Sequence, residues 1–153
     1  MSSRKWLMKT EPNTYSIDDL KADKITHWEG IRNYQARNFM KNDMEIGDSI
    51  FIYHSNVTPP GIVGLAEVCS KPYPDFFAWD QSSQYFDSKS TKENPRWFMV
   101  DVAFKCKFKS MLSLNQIKQD SNLSSMMVIK KGMRLSIQPI SNKEFDYIMK
   151  EYQ

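Results

Sequence analysis

A small α+β fold, with a bent mixed sheet or barrel flanked by short helices, is predicted by three features of the 153-residue sequence. Strand patterns outnumber substantial helix patterns, strands and helices do not alternate strictly, and no internal repeat or low-complexity tract is present. A doubly wound parallel sheet is therefore disfavoured. The composition, 41% hydrophobic and 25% charged, is globular. At this length one domain buries roughly 68–70% of its unfolded surface, so a single unit over 1–153 is expected.

Taken in chain order, the first expected strand is Lys5 to Met8, rich in apolar residues and followed by a polar turn. Ser16 with Asp19 forms a capping box that opens a short helix to about Ala22. Asn33 is placed to cap a helix from Tyr34 to Lys41. Strands are then expected at Ser49 to His54 and Ile62 to Cys69. From Lys71 to Arg96 periodicity lapses; Pro72, Pro74 and Pro95 with interspersed Tyr and Phe suggest an ordered functional loop. The clearest strand is Phe98 to Phe108, where Phe98, Val100, Val102, Phe104, Cys106 and Phe108 alternate with more polar positions. Ser113 with Gln116 is a second capping box, and Ser125 to Lys131 reads as a single turn ending at Gly132. A strand from Arg134 to Gln138 precedes the third box, Ser141 with Glu144. That box opens the C-terminal helix, whose Phe145, Ile148, Met149 and Tyr152 recur at helical spacing.

Several function classes are excluded early. The longest apolar runs, such as Phe76 to Trp79, span four residues, against the roughly 20 a membrane helix needs. No apolar signal segment follows the N-terminal charges, and two isolated cysteines do not make a disulfide framework. A reducing compartment is expected: cytoplasm for a bacterial chain, nucleus for a eukaryotic one. Two Cys and two His, all isolated, argue against zinc. No glycine arrangement forms a phosphate-cradling loop, so no metal and no cofactor is expected. Residues 77–153 carry 12 basic and 8 acidic groups, while residues 1–76 carry 9 and 10. This mild excess permits nucleic-acid contact without demonstrating it.

Four segments mix polar groups with aromatics: Trp6 to Pro12, Trp28 to Asn38, Tyr53 to Asn56, and Leu135 to Pro139. Such mixtures suit a pocket for a flat heteroaromatic ligand. Trp6, inside a strand, reads better as core. Trp28 precedes Glu29-Gly30 in a stretch without apolar periodicity and is followed by Arg32, Asn33, Tyr34 and Arg37. Helix N-terminal amides there, with two arginines, make an anion site; the competing reading is a capped surface helix with solvated arginines. His54 beside Ser55 raises nucleophilic catalysis, but adjacent residues on a strand point to opposite faces and no nucleophile elbow surrounds Ser55. Lys105, Lys107 and Lys109 share one sheet face, as a phosphate-tracking stripe or as protection of a sheet edge.

These segments together resemble a family. Lys9-Thr-Glu-Pro12, Tyr15-Ser-Ile-Asp-Asp-Leu20, Trp28-Glu-Gly-Ile-Arg-Asn-Tyr-Gln-Ala-Arg-Asn38 and Gly47-Asp-Ser-Ile-Phe-Ile-Tyr-His-Ser-Asn56 look like EVE domains. The likeness continues through Pro60 to Val68, Tyr73 to Asp75, Tyr85 to Asp87, Asn94 to Trp97 and Leu135 to Pro139, nearly the whole chain in order. It implies a PUA-like pseudo-barrel related to the YTH readers of methylated RNA. It also implies a reader without turnover, bound to nucleic acid that carries a modified base, with modified cytosine in DNA the expected class. Trp28, Arg32, Asn33, Tyr34, Ser55, Asn56 and Gln138 match the family's pocket segments. Thr10 stands where many members have Ser, keeping the hydroxyl. Arg37 joins Arg32 as an expected phosphate contact.

A base inside a duplex must be extruded, at a cost of a few kcal/mol, before a protein can read its whole edge. Stacking on Trp28 or Tyr34, with Asn33, Ser55, Asn56 and Gln138 on the edge, is the expected compensation. The alternatives are an RNA-binding module of the same fold, and a base-processing hydrolase or nuclease using Glu11, Glu29, Asp75 or His54. A monomer is the expected unit.

Overall fold

The computed structural model describes residues 3–153. Its principal sheet contains β1 (Lys5–Thr10), β2 (Ile25–His27), β3 (Ser49–His54), β4 (Gly61–Val68), β7 (Asp101–Ser113) and β8 (Ile137–Ile140). The strand order is β2-β7-β4-β3-β1-β8, while β5 (Tyr73–Pro74) and β6 (Phe98–Met99) form a separate two-stranded ribbon. β1 and β3 are parallel; the other pairings are antiparallel. The sheet curls strongly into a half-barrel with short helices around it, the α+β pseudo-barrel that the family likeness implies.

The central strands are apolar on both faces because both faces are covered. Trp6, Met8, Ile50 and Ile52 join one core cluster; Leu7, Phe51 and Tyr53, the intervening residues, join the other. This follows from the two-residue alternation of side chains along a strand. The second cluster is closed by α4 (Asn142–Glu151), whose Phe145 stacks on Phe51 at 4.7 Å. The Trp6 indole N–H donates to buried Asp48 (2.9 Å), so this tryptophan is core.

α1 (Ile17–Asp23) and α3 (Leu114–Gln119) begin with the capping boxes read from sequence, as does α4. α1 is pressed onto β4, because a Cβ at Gly64 would lie 2.5 Å from Ile17 Cδ1. Register shifts on either side of Gly64 and Leu65 bend β4 against β7 at this point.

Three expectations change, and one strand was not expected at all. The strand Phe98 to Phe108 is broken at Val100: β6 pairs with β5, and β7 starts at Asp101 and runs on to Ser113. Both Met99 and Val100 are buried, so the alternation slips there, and Cys106 is only partly buried. The last strand lies three residues later than Arg134 to Gln138 suggests and includes Pro139, which the outermost strand of a sheet tolerates. The helix from Tyr34 is α2 (Tyr34–Asn38), which then widens into a π-turn over Phe39–Asp43. β2 goes unseen in the sequence because it has three residues, two of them exposed.

Candidate nucleic-acid interface

A cavity of about 260 Å³ opens where the end of β1 meets β2 and the loop that follows it. β1 and its turn contribute Lys9, Thr10, Glu11, Thr14 and Tyr15; β2 and its loop contribute Thr26, His27, Trp28, Glu29, Gly30 and Ile31. Tyr85, from the long loop, and Ser136, just before β8, close the wall. Aromatic walls with a polar rim, at a volume below the roughly 300–1,000 Å³ of pockets that hold drug-sized ligands, suit a single small ring system.

Each wall is locally braced. The Thr10 hydroxyl donates to the Tyr15 carbonyl (2.8 Å), and Tyr15 meets Trp28 edge to face at 6.2 Å. The Tyr15 hydroxyl donates to Asp23 (2.7 Å); burial and this carboxylate push its pKa up to about 12. Trp28 is 7% exposed, its backbone N–H donates to Val100 (2.8 Å), and only part of its ring reaches the cavity. Burial lowers the Lys9 pKa and raises that of Tyr85. Glu29 lies 3.7 Å from His27.

Tyr85 approaches because residue 30 is glycine. With φ at +86°, a Cβ at Gly30 would stand 2.6 Å from the phenol ring. Below it, the fully buried Asp75 carboxylate accepts from Gly30 N–H (2.9 Å), Phe77 N–H (3.0 Å) and Arg32 Nη1 (3.0 Å). Arg32 also donates to the Tyr85 carbonyl from Nη2 (2.6 Å) and Nε (3.2 Å). One carboxylate and one guanidinium thus tie the loop after β2 to the long loop.

The expected site residues separate into groups. Thr10 and Trp28 line the cavity. Ser55 and Asn56 line an adjoining depression of about 440 Å³ that shares Lys9, Thr10, Glu11 and Ser136 with it. Asn56, at a φ of 51°, donates through Nδ2 to Glu11. Asn33 serves as the α2 cap, accepting from Ala36 N–H (3.0 Å), which leaves its side-chain oxygen committed. Arg32 is committed to Asp75 rather than free for a phosphate, with 24% of its side chain exposed. Gln138 does not line the cavity: at 1% exposure it points inward from β8 and donates to Leu135 (2.9 Å). Tyr34 and Arg37 stand outside the cavity, against Trp97. His54 accepts from Ile17 N–H (3.1 Å) through Nε2, a structural bond in keeping with its pKa being lowered by burial. Lys105 and Lys107 are paired with Glu67 (2.7 Å) and Asp18 (2.8 Å), so the lysine stripe is largely neutralised.

Sequence reasoning missed Tyr15, Tyr85 and Ser136 as wall residues. The signals available for Tyr85 were its place in the long aperiodic loop and the Tyr85-Phe-Asp87 segment within the family likeness.

The EVE domain family model matches residues 4–151. Thymocyte nuclear protein 1 of Gallus gallus is 42% identical over 163 residues, covering 94% of this chain and 66% of that protein. The chain thus spans just under two thirds of that relative's length. The Homo sapiens protein of the same name is 38% identical over 165 residues, covering 96% of this chain and 73% of that one. Among solved structures, human THYN1 protein in complex with 5-methylcytosine containing DNA superposes with a TM-score of 0.90 at 38% identity, covering 99% and 98% of the two chains. A Leishmania major protein superposes with a TM-score of 0.92 at 45% identity, covering 97% and 94%. An ASCH protein from Zymomonas mobilis, 8% identical with a TM-score of 0.55, shares the fold alone. The match over residues 4–151, together with relatives of this identity, shows that the chain belongs to the EVE domain family.

Proposed function

We propose that this protein binds nucleic acid by taking one extruded base, a modified cytosine in DNA, into the cavity between Tyr15, Trp28 and Tyr85, and that it releases the base unchanged. The observation that carries this is the match between that cavity's volume and lining and a single ring, in a chain similar to a human protein crystallised with 5-methylcytosine containing DNA. The pairing edge of cytosine has one amino donor and two acceptors. Glu11 and Glu29 at the rim are acceptors of the kind that take the cytosine amino group. Lys9 supplies donors at the same wall. Tyr85 and the open part of Trp28 supply the stacking surface, and Thr10, Ser55 and Asn56 extend the polar rim toward the flanking nucleotide.

A methyl or hydroxymethyl group adds a single small contact, so preference over plain cytosine is on the order of 1–3 kcal/mol. The test is fluorescence anisotropy with matched duplex and single-stranded oligonucleotides, DNA and RNA, carrying plain, methylated or hydroxymethylated cytosine. Tighter binding to a modified cytosine in DNA is expected, and Tyr85→Ala, which truncates a partly exposed wall residue, should weaken it by about 1–3 kcal/mol. Equal affinity for plain and modified strands defeats the modified-base assignment, and stronger binding to the RNA arm reassigns the strand. Mass spectrometry of the recovered strands, with and without divalent metal, shows no product if the protein only reads.

A further inference from the structure

Outside the cavity, a ladder of rings and guanidinium groups leads from its wall to the surface. Arg32 lies 5.5 Å from the Tyr85 ring and 5.5 Å from the Trp97 ring, and Trp97 stacks on Tyr34 at 4.8 Å with 26° between planes. The ladder is fixed at its centre. Trp97 is 5% exposed, and its indole N–H donates to Asp87 (2.7 Å), a bond that holds the Asp87 carboxyl below its ordinary range. The outermost rung differs, because Tyr34 is 49% exposed.

Arg37 lies 4.8 Å from the Tyr34 ring and 5.9 Å from Trp97. With the 4.8 Å ring separation these distances make a compact cluster of Tyr34, Arg37 and Trp97. About half of the Tyr34 side chain stays open to solvent beside it. Arg37 is held in place by donating to the Arg96 carbonyl (2.9 Å) and to Asn38, and Lys41 sits 4.8 Å from the neighbouring Phe98 ring. None of Arg37, Lys41 and Arg96 forms an ion pair with a carboxylate among the described residues. The residues around Tyr34 on α2, Asn33, Gln35 and Asn38, are exposed and polar. An open ring with unpaired cations and no apolar surround is the composition of a stacking platform for a nucleic-acid base, since a protein partner is marked by a contiguous apolar patch.

We infer that the exposed part of Tyr34 stacks an unpaired base a few nucleotides away from the one held in the cavity, with Arg37 on the intervening phosphates, so that one strand is gripped at two points. The inference rests on the proposed reading of the cavity and adds a second, base-indifferent contact to it. Every base has a π-face, so this contact tightens binding without choosing among bases.

The test uses single strands carrying one 5-methylcytosine or plain cytosine, with 5-iodouracil placed in turn at each flanking position. Tyr34→Ala is expected to weaken both strands alike, by about 5- to 150-fold, while Tyr34→Phe keeps most of the affinity and the modified-to-plain ratio stays unchanged. Tyr34→Leu, which retains bulk over Trp97 but lacks a π-face, should also lose affinity; it decides the matter if the alanine variant unfolds. Irradiation should crosslink Tyr34 to iodouracil at one offset and not beside the modified base. Affinity within twofold of the parent for Tyr34→Leu, or no Tyr34 crosslink at any position, overturns the platform. Parent protein without preference for 5-methylcytosine defeats the cavity reading alone, because the Tyr34 loss on plain strands would stand. Parent protein that binds no strand defeats both.

Discussion

Replacing Asp75 by Asn changes one atom and one charge at the point where the two loops of the site are joined. Asp75 Oδ2 accepts from Gly30 N–H and Arg32, and Oδ1 accepts from Phe77 N–H. An asparagine can turn its oxygen toward Gly30 and Arg32, but its NH2 then faces the Phe77 N–H, donor against donor. The variant loses a charge-assisted bond, about 1.5–3 kcal/mol, and leaves a buried donor unsatisfied, about 1–3 kcal/mol. Together these predict a loss of about 2.5–6 kcal/mol, a range that contains the cost of breaking a buried ion pair. For a domain of this length each kcal/mol moves Tm by roughly 2–4 °C, so the variant should melt at least roughly 5 °C lower. Urea unfolding followed by tryptophan fluorescence and by circular dichroism measures the free energy directly. Arg32→Ala should also be costly, because it leaves the Asp75 charge buried with two backbone donors. The double variant should lose about 0.5–3 kcal/mol less than the sum of the single losses. An Asp75→Asn protein within about 0.5 kcal/mol of the parent, or additive losses, would refute the idea that this pair holds the site together.

Gly30→Ala should lower stability by about 1–2 kcal/mol for the left-handed backbone alone. It should weaken modified-strand binding further, because the added Cβ displaces Tyr85 from the cavity wall; a crystal structure with Tyr85 unmoved would contradict this. His54 has its pKa lowered by burial, so between its ordinary value near 6.5 and the folded value the unfolded chain binds more protons. Its stabilising contribution is complete above that ordinary value and is lost as pH falls through the folded one. A series of urea melts should show that loss, and His54→Gln, which accepts but does not titrate, should flatten it. With Arg32, Lys105 and Lys107 already paired, about three cations meet phosphates, predicting a log–log salt slope on duplex DNA of roughly −2 to −3. Arg37→Ala should make that slope shallower by about one; an unchanged slope would place the phosphate contacts elsewhere.

Three helix starts were legible in the sequence because a capping box is settled by residues three apart, whose side chains satisfy each other's backbone amides before any tertiary contact forms. The paired apolar runs at Lys5 to Met8 and Ser49 to His54 likewise announce strands, and the ordered motifs from Lys9 to Pro139 carry the family likeness. Where the pattern slips, as at Val100, the cause is a partner strand that local periodicity does not contain. The site depends on such distant partners throughout. Asp75 meets Gly30 from 45 positions away, and Arg32 reaches Tyr85 across 53. Those contacts turned Arg32 from a phosphate clamp into a brace, faced Gln138 into the core, sank most of Trp28, and brought Tyr85 to a wall where only glycine leaves room for it. By itself, the sequence determined the elements, their caps and the family, because these follow from near neighbours and from ordered motifs. Only the curled sheet decided which aromatic faces remain open, because exposure is what is left after every distant residue has packed.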